Sequence, residues 1–189
     1  FARRSCAVYM EADRGKKLIY YIADTHFGDE RVMRLAQRPF TSVNQMNNYL
    51  CGKWNAKVGG DDTVYVLGDF AFDDVEAQKI FPLLNGHKHL ILGNHDKLSS
   101  ESLNMFESVN QIVTVFDEGR SVCLCHYPLL SYENSVYGGY HIFGHIHNNQ
   151  SDLAFNIVKN IPRIYNCGVD VNDFEPKTLN DLVRSKLDE

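Results

Sequence analysis

A chain of 189 residues, 44 % of them hydrophobic and 23 % charged, suffices for one domain with a full core and excludes a disordered or fibrous chain. No apolar run approaches the roughly 18 residues that span a bilayer, and the basic opening stretch to Lys17 lacks the long apolar region of a secretory signal. A net charge of −5, with Lys and Arg scattered singly, provides no basic stripe of the kind that holds long nucleic acid by its backbone.

Residues 1–17 read as an N-terminal leader or extension, with Met10 a candidate start, and 18–189 as a single domain. From Leu18 to Ala23 the chain is apolar and rich in β-formers, which predicts a buried strand ending at Asp24. Val43, Met46, Leu50 and Trp54 recur at three- and four-residue steps and predict a helix to about Lys57, capped by Thr41 or Ser42. A second strand is expected over Thr63–Leu67, before Gly68-Asp69. A helix follows from an Asp73 or Asp74 cap to about Leu84, with Pro82 disturbing its end. His89–Leu92 reads as a third strand, stopping at Gly93-Asn94-His95-Asp96. Further strands are expected over Gln111–Phe116, Ser121–Cys125, Tyr140–Phe143 and Arg163–Cys167, with a closing helix over Leu179–Leu187. Alternation of strand and helix in the first half, then mostly strands, predicts an α/β sandwich with parallel and antiparallel pairing.

Five of these runs each deliver residues able to bind metal: Asp24 with His26, Asp69, Asn94 with His95, His126, and His145 with His147. Ligand sites in open α/β sheets form at the carboxyl ends of strands. Each piece alone has a bland reading, such as a capping Asp or an ordinary turn. Together, behind apolar strands, they predict one pocket of mixed oxygen and imidazole donors, suited to Mn, Fe or Zn and too nitrogen-rich for calcium.

The ordered set Asp24-x-His26, Gly68-Asp69, Gly93-Asn94-His95-Asp96, His126 and Gly144-His145-x-His147 resembles the calcineurin-like metallophosphoesterases, particularly their small bacterial and phage members. Arg38-Pro39-Phe40, His126-Tyr127-Pro128 and Asn166-Cys167-Gly168-Val169-Asp170 add to the likeness, which runs from about Ile19 to about Pro176. The resemblance implies a four-layer αββα sandwich with two mixed β-sheets. It implies two divalent ions (Mn favoured, Fe, Zn or similar), the first on Asp24, His26 and His147, the second on Asn94, His126 and His145, with Asp69 bridging. Two cations about 3.5–4 Å apart share a water, lower its pKa and clamp phosphate oxygens for in-line attack on a small phosphodiester or phosphomonoester, nucleotides included. The resemblance makes His95 a stabiliser of the transition state and a proton donor to the leaving oxygen. Many members read Gly-Asp-x-x-Asp, the second Asp orienting that histidine; here Asp73 stands one place late, so Asp96 and Asp73 are the candidate partners of His95.

Arg38 is a candidate for bidentate binding of a substrate phosphate, against a solvated surface arginine. Tyr127 and Asn148 adjoin ligands and suit second-shell hydrogen bonding. His141 is the candidate to face the pocket from beside the last motif, against a satisfied core histidine; His87 and His89 read as strand histidines. Tyr20, Tyr21, Phe70 and Phe72 are expected in the core, while Tyr132, Tyr137 and Tyr140 are candidates for base stacking. The odd number of cysteines, five, suits a reducing cytoplasm, and Cys123 and Cys125 read as small buried residues on one side of a strand. The competing functions are a non-catalytic scaffold on the same fold and a nuclease on longer nucleic acid. No membrane partner is expected.

Overall fold

The computed structural model describes residues 17–187; the expected leader, but for Lys17, lies outside them. In chain order the elements are β1 (Ile19–Ile22), α1 (Glu30–Leu35), α2 (Val43–Lys57), β2 (Thr63–Val66), α3 (Asp74–Ile80), β3 (His87–Ile91), α4 (Ser100–Leu103), β4 (Ser108–Asn110), β5 (Ile112–Asp117), β6 (Arg120–Cys125), β7 (Tyr140–Phe143), α5 (Leu153–Val158), β8 (Ile164–Asn166), β9 (Lys177–Thr178) and α6 (Leu179–Leu187).

The strands form two mixed sheets. One has the order β4-β3-β2-β1-β9, in which only β9 runs antiparallel; the other has the order β5-β6-β7-β8, in which only β5 does. Period-two alternation sorts the side chains into layers. Tyr20, Ile22, Val64, Val66 and Leu90 point to the helices and pack with Met46, Leu50, Trp54, Ala77 and Ile80. Tyr21, Ala23, Leu67 and Ile91 point the other way and meet Val122, Leu124 and Ile142 of the second sheet. On that sheet's outer face Phe143 and Ile164 pack with Val158 of α5. Helix, sheet, sheet, helix: the chain is a four-layer αββα sandwich.

Local chemistry explains the boundaries. The Ser42 side chain accepts from the Gln45 N–H and caps α2, and Asp73 does the same for α3 through Glu76. Pro82 lacks the N–H that α3 needs to continue, so the helix stops at Ile80 and tightens into a 3-10 turn over Phe81–Leu83. Cys123, Cys125 and Cys167 are buried, as expected of small core residues. Phe72 departs from expectation: the chain bends there, leaving its ring 50 % exposed beneath the Arg31 guanidinium. No helix among the described residues is long and apolar enough to cross a membrane.

Candidate metal centre

Parallel register does the gathering. Ile22 pairs with Val66 and Val66 with Leu90, so the loops after β1, β2 and β3 emerge side by side with Asp24, Asp69 and Asn94. In the second sheet β6 and β7 are parallel neighbours, delivering His126 and His145 from the same edge. The two sheets are stitched at this end, where the Ala23 N–H donates to the Cys167 carbonyl and the Val169 N–H to the Ala23 carbonyl.

Ligand atoms of Asp24, His26 and His147 lie within 4.8 Å of one another, as do those of Asp24, Asp69 and His126. Asp69 Oδ2 stands between two histidines, 3.5 Å from His26 Nε2 and 3.6 Å from His126 Nε2. Asn94 Oδ1 is 3.0 Å from His126 Nε2 and 2.9 Å from His145 Nδ1. All seven residues therefore meet in one place, with Asp24 common to both clusters and Asp69 Oδ2 close to both His26 and His126.

The backbone is bent hard to achieve this. Asp24, His26, Asp69, His145 and His147 all have φ between 49° and 71°, a left-handed region that non-glycine residues seldom adopt. Two glycines admit the close approach. A Cβ on Gly68, itself at φ 88°, would lie 2.4 Å from His126 Nδ1, and one on Gly144 would lie 2.7 Å from Asp24 Oδ2.

The donor set fits divalent cations. His26 Nε2 is buried without a hydrogen-bond partner, a state that buried polar atoms rarely tolerate. His126 Nδ1 is 2.8 Å from the Leu67 carbonyl, which only accepts; in the neutral ring Nε2 is thus a bare acceptor facing the Asn94 oxygen. A cation between these two acceptors would satisfy both. Burial raises the Asp24 carboxyl to about 6, over the opposing pull of His147 and His126. Burial likewise lowers His26 to about 4, over the opposing charge of Asp69. Both shifts come first from burial, which disfavours the charged form of either group and leaves the His26 ring neutral, the form that binds metal. His145 is also lowered by burial, with His126 adding to the effect. Burial alone would lower His147, but the Asp170 hydrogen bond and the Asp24 and Asp170 charges outweigh it and raise the pKa.

Other expected residues land elsewhere. The Arg38 side chain has no exposure and its guanidinium is committed to Asp170 and to the carbonyls of Asp24 and Thr25, so it has no N–H left for a substrate phosphate. Asp96 accepts from the backbone N–H groups of Gly93, Asp69 and Phe70; it ties strand ends together instead of orienting the His95 ring. Asp73 is the α3 cap. His95 itself is exposed beside the pocket, its ring 5.5 Å from that of His26 and its N–H donating to Asp69 Oδ1. The Tyr127 ring packs on His145 and His126, at 4.6 and 5.1 Å. Asn148 donates to the Ala36 carbonyl, tying the last motif to α1. His141 is fully buried beside Cys123 and Leu129 and faces away from the pocket. Sequence reasoning missed the roles of Asp170, which holds His147 Nδ1 at 2.6 Å, and of Asn166, which donates to the His147 carbonyl. Both stand in the Asn166-to-Asp170 stretch, which added to the resemblance but carried no assigned chemistry.

Fold and donor set together define a four-layer αββα sandwich carrying a cluster of residues that could hold a metal ion. No model of a known protein family matches the chain. It is 33 % identical over 169 residues to the uncharacterized protein MJ1445 of Methanocaldococcus jannaschii, covering 88 % of this chain and 89 % of that protein. The chain belongs to the same family as that archaeal protein. It is also 30 % identical over 115 residues to the gene 66 protein of Mycobacterium phage L5, covering 58 % of this chain and 55 % of the phage protein. Among solved structures, a protein of unknown function, AQ665 from Aquifex aeolicus, shares the fold with a TM-score of 0.72 at 24 % identity, over 90 % of this chain and all of that one.

Proposed function

We propose that this chain is a two-metal phosphoesterase that hydrolyses a small phosphodiester or phosphomonoester, with nucleotides among the candidate substrates. The observation that carries the reading is Asp69 Oδ2 set between His26 Nε2 and His126 Nε2, with the former nitrogen orphaned. Asp24, His26 and His147 would hold one cation and Asn94, His126 and His145 the other, with Asp69 available to both. When bound, two divalent ions lower the pKa of a shared water and offset charge on the phosphoryl oxygens; Mn is favoured over Fe or Zn, whose ligand preferences overlap.

The chain supplies the rest. Imidazoles and an amide outnumber the carboxylates, so the loaded site keeps net positive charge toward an anionic ester. His95, exposed at the pocket and pinned through its backbone to Asp69, donates a proton to the leaving oxygen. A cleft of about 590 Å³ opens beside the site, with His26, His95, His145 and His147 along one part and Leu35 and Gln37 along another. That volume suits a small ester. With a net charge of −5, long nucleic acid is the less favoured substrate.

The test is hydrolysis of paired chromogenic mono- and diester phosphates after chelation and after adding Mn. Activity should return with Mn and fall in His95→Ala, by about 10²–10⁴-fold if the proton transfer is lost, while metal binding stays intact. Asp69→Asn should lose both metal and activity. Metal binding that survives in Asp69→Asn defeats the assignment.

A further inference from the structure

Arg38 stands out as a buried cation that the proposed chemistry does not use. Its five N–H donors are all engaged: Nε with Asp170 Oδ1 at 2.7 Å, Nη2 with Asp170 Oδ2 at 3.0 Å and the Asp24 carbonyl at 2.6 Å, Nη1 with the Thr25 carbonyl at 2.9 Å and Met46 Sδ at 3.4 Å. The Asp24 and Thr25 carbonyls belong to the loop in which Asp24 and His26 are left-handed, so the guanidinium clamps that loop by its backbone. Asp170 Oδ2 also receives His147 Nδ1, at 2.6 Å, and leaves Nε2 as the ring's free acceptor. Asp170 is as enclosed as its partner, with 1 % of its side chain exposed.

We propose that Arg38 and Asp170 form one positioning unit for the first cation. The pair fixes the loop of Asp24 and His26 and the ring of His147 against each other. The inference rests on the two-metal reading above. It has a directional consequence. All three ligands of the first group touch the unit or belong to the loop it clamps. Of the second group, His126 is held by the Leu67 carbonyl and Asn94 meets the His126 and His145 rings; only His145 touches the clamped loop, through its backbone N–H to Asp24. Loss of the unit should therefore weaken the first cation well beyond the second. A buried ion pair serving only stability would not discriminate between them.

The experiment is calorimetric titration of the metal-stripped full chain with Mn, for wild type, Asp170→Asn, Arg38→Lys and the double variant Arg38→Gln/Asp170→Asn, which leaves no unpaired buried charge. Circular dichroism and thermal melts of the metal-free proteins run alongside. Wild type should take two Mn. In the folded variants one Mn should bind about as in wild type and the other about 10–100-fold more weakly, as loss of such supporting partners usually costs. Two sites of wild-type affinity in any folded Asp170 variant would overturn the positioning role and leave the two-metal reading standing. Equal weakening of both sites, or a melting loss with unchanged affinities, would reduce the pair to a structural one. A wild type that takes no Mn would remove the two-metal reading, and this inference with it.

Discussion

At the residue scale, the candidate ligands were legible and their conformations were not. Asp24, His26, Asp69, Asn94, His126, His145 and His147 declare themselves because each follows an apolar run, and nothing else in a strand-ending turn calls for that mix of donors. Their left-handed backbone leaves no trace in residue type, except through the glycines beside them. Gly144 is the sharpest case: an added Cβ would meet Ala23 Cβ at 2.5 Å and Asp24 Oδ2 at 2.7 Å. Gly144→Ala should therefore displace Asp24, costing about 1–3 kcal/mol of stability and weakening Mn binding; unchanged melting and Mn affinity would show that the loops give way freely. His141 supports a different prediction. Its Nδ1 meets the Cys123 carbonyl at 3.0 Å and its Nε2 accepts from the Leu129 N–H at 3.0 Å, and burial lowers its pKa. A lowered folded value means that the unfolded chain takes up the proton first as pH falls. Its contribution is thus complete above the unfolded value of about 6.5 and is lost below it, down through the folded value. Urea midpoints should fall more from pH 7.5 to 5 in wild type than in His141→Gln, and parallel curves would contradict this.

At the scale of elements, α2 was legible end to end, because fifteen residues carry a full apolar stripe and a Ser42 cap. The short elements were not. α1 has six residues and buries only Val32, and β9 has two residues held by β1, so neither carries a period that a reader could detect. Asp73 shows why motif spacing misleads at this level. One place late for the family's second Asp, it suggested a partner for His95, whereas its carboxylate caps α3 by accepting from Glu76 at 2.9 Å. Asp73→Ala should accordingly cost about 1 kcal/mol, as loss of an N-cap does, with Mn affinity and turnover preserved. A fall in turnover without a fall in stability would return Asp73 to the site.

For the whole molecule, the alternation of strand and helix predicted a mixed α/β sandwich and the resemblance implied the order of its layers, while the stitching of the sheets was in neither. Ala23 reaches across to Cys167 and Val169, and His145 donates its N–H to Asp24, so both sheets contribute to one pocket. Pairing between segments more than a hundred residues apart has no local signal. Cations shared by loops from both sheets should clamp the sandwich shut. Mn at 100 times its dissociation constant should stabilise the fold by about 2.7 kcal/mol per site, and chelation should reverse it. A melting temperature indifferent to Mn and to chelator would separate the site from the fold's stability. The central claim, two cations sharing Asp69, is tested most directly by anomalous diffraction from crystals grown with Mn. Two peaks about 3.5–4 Å apart on either side of Asp69 Oδ2 are the expected result; a single peak, or peaks away from these seven residues, would contradict the account.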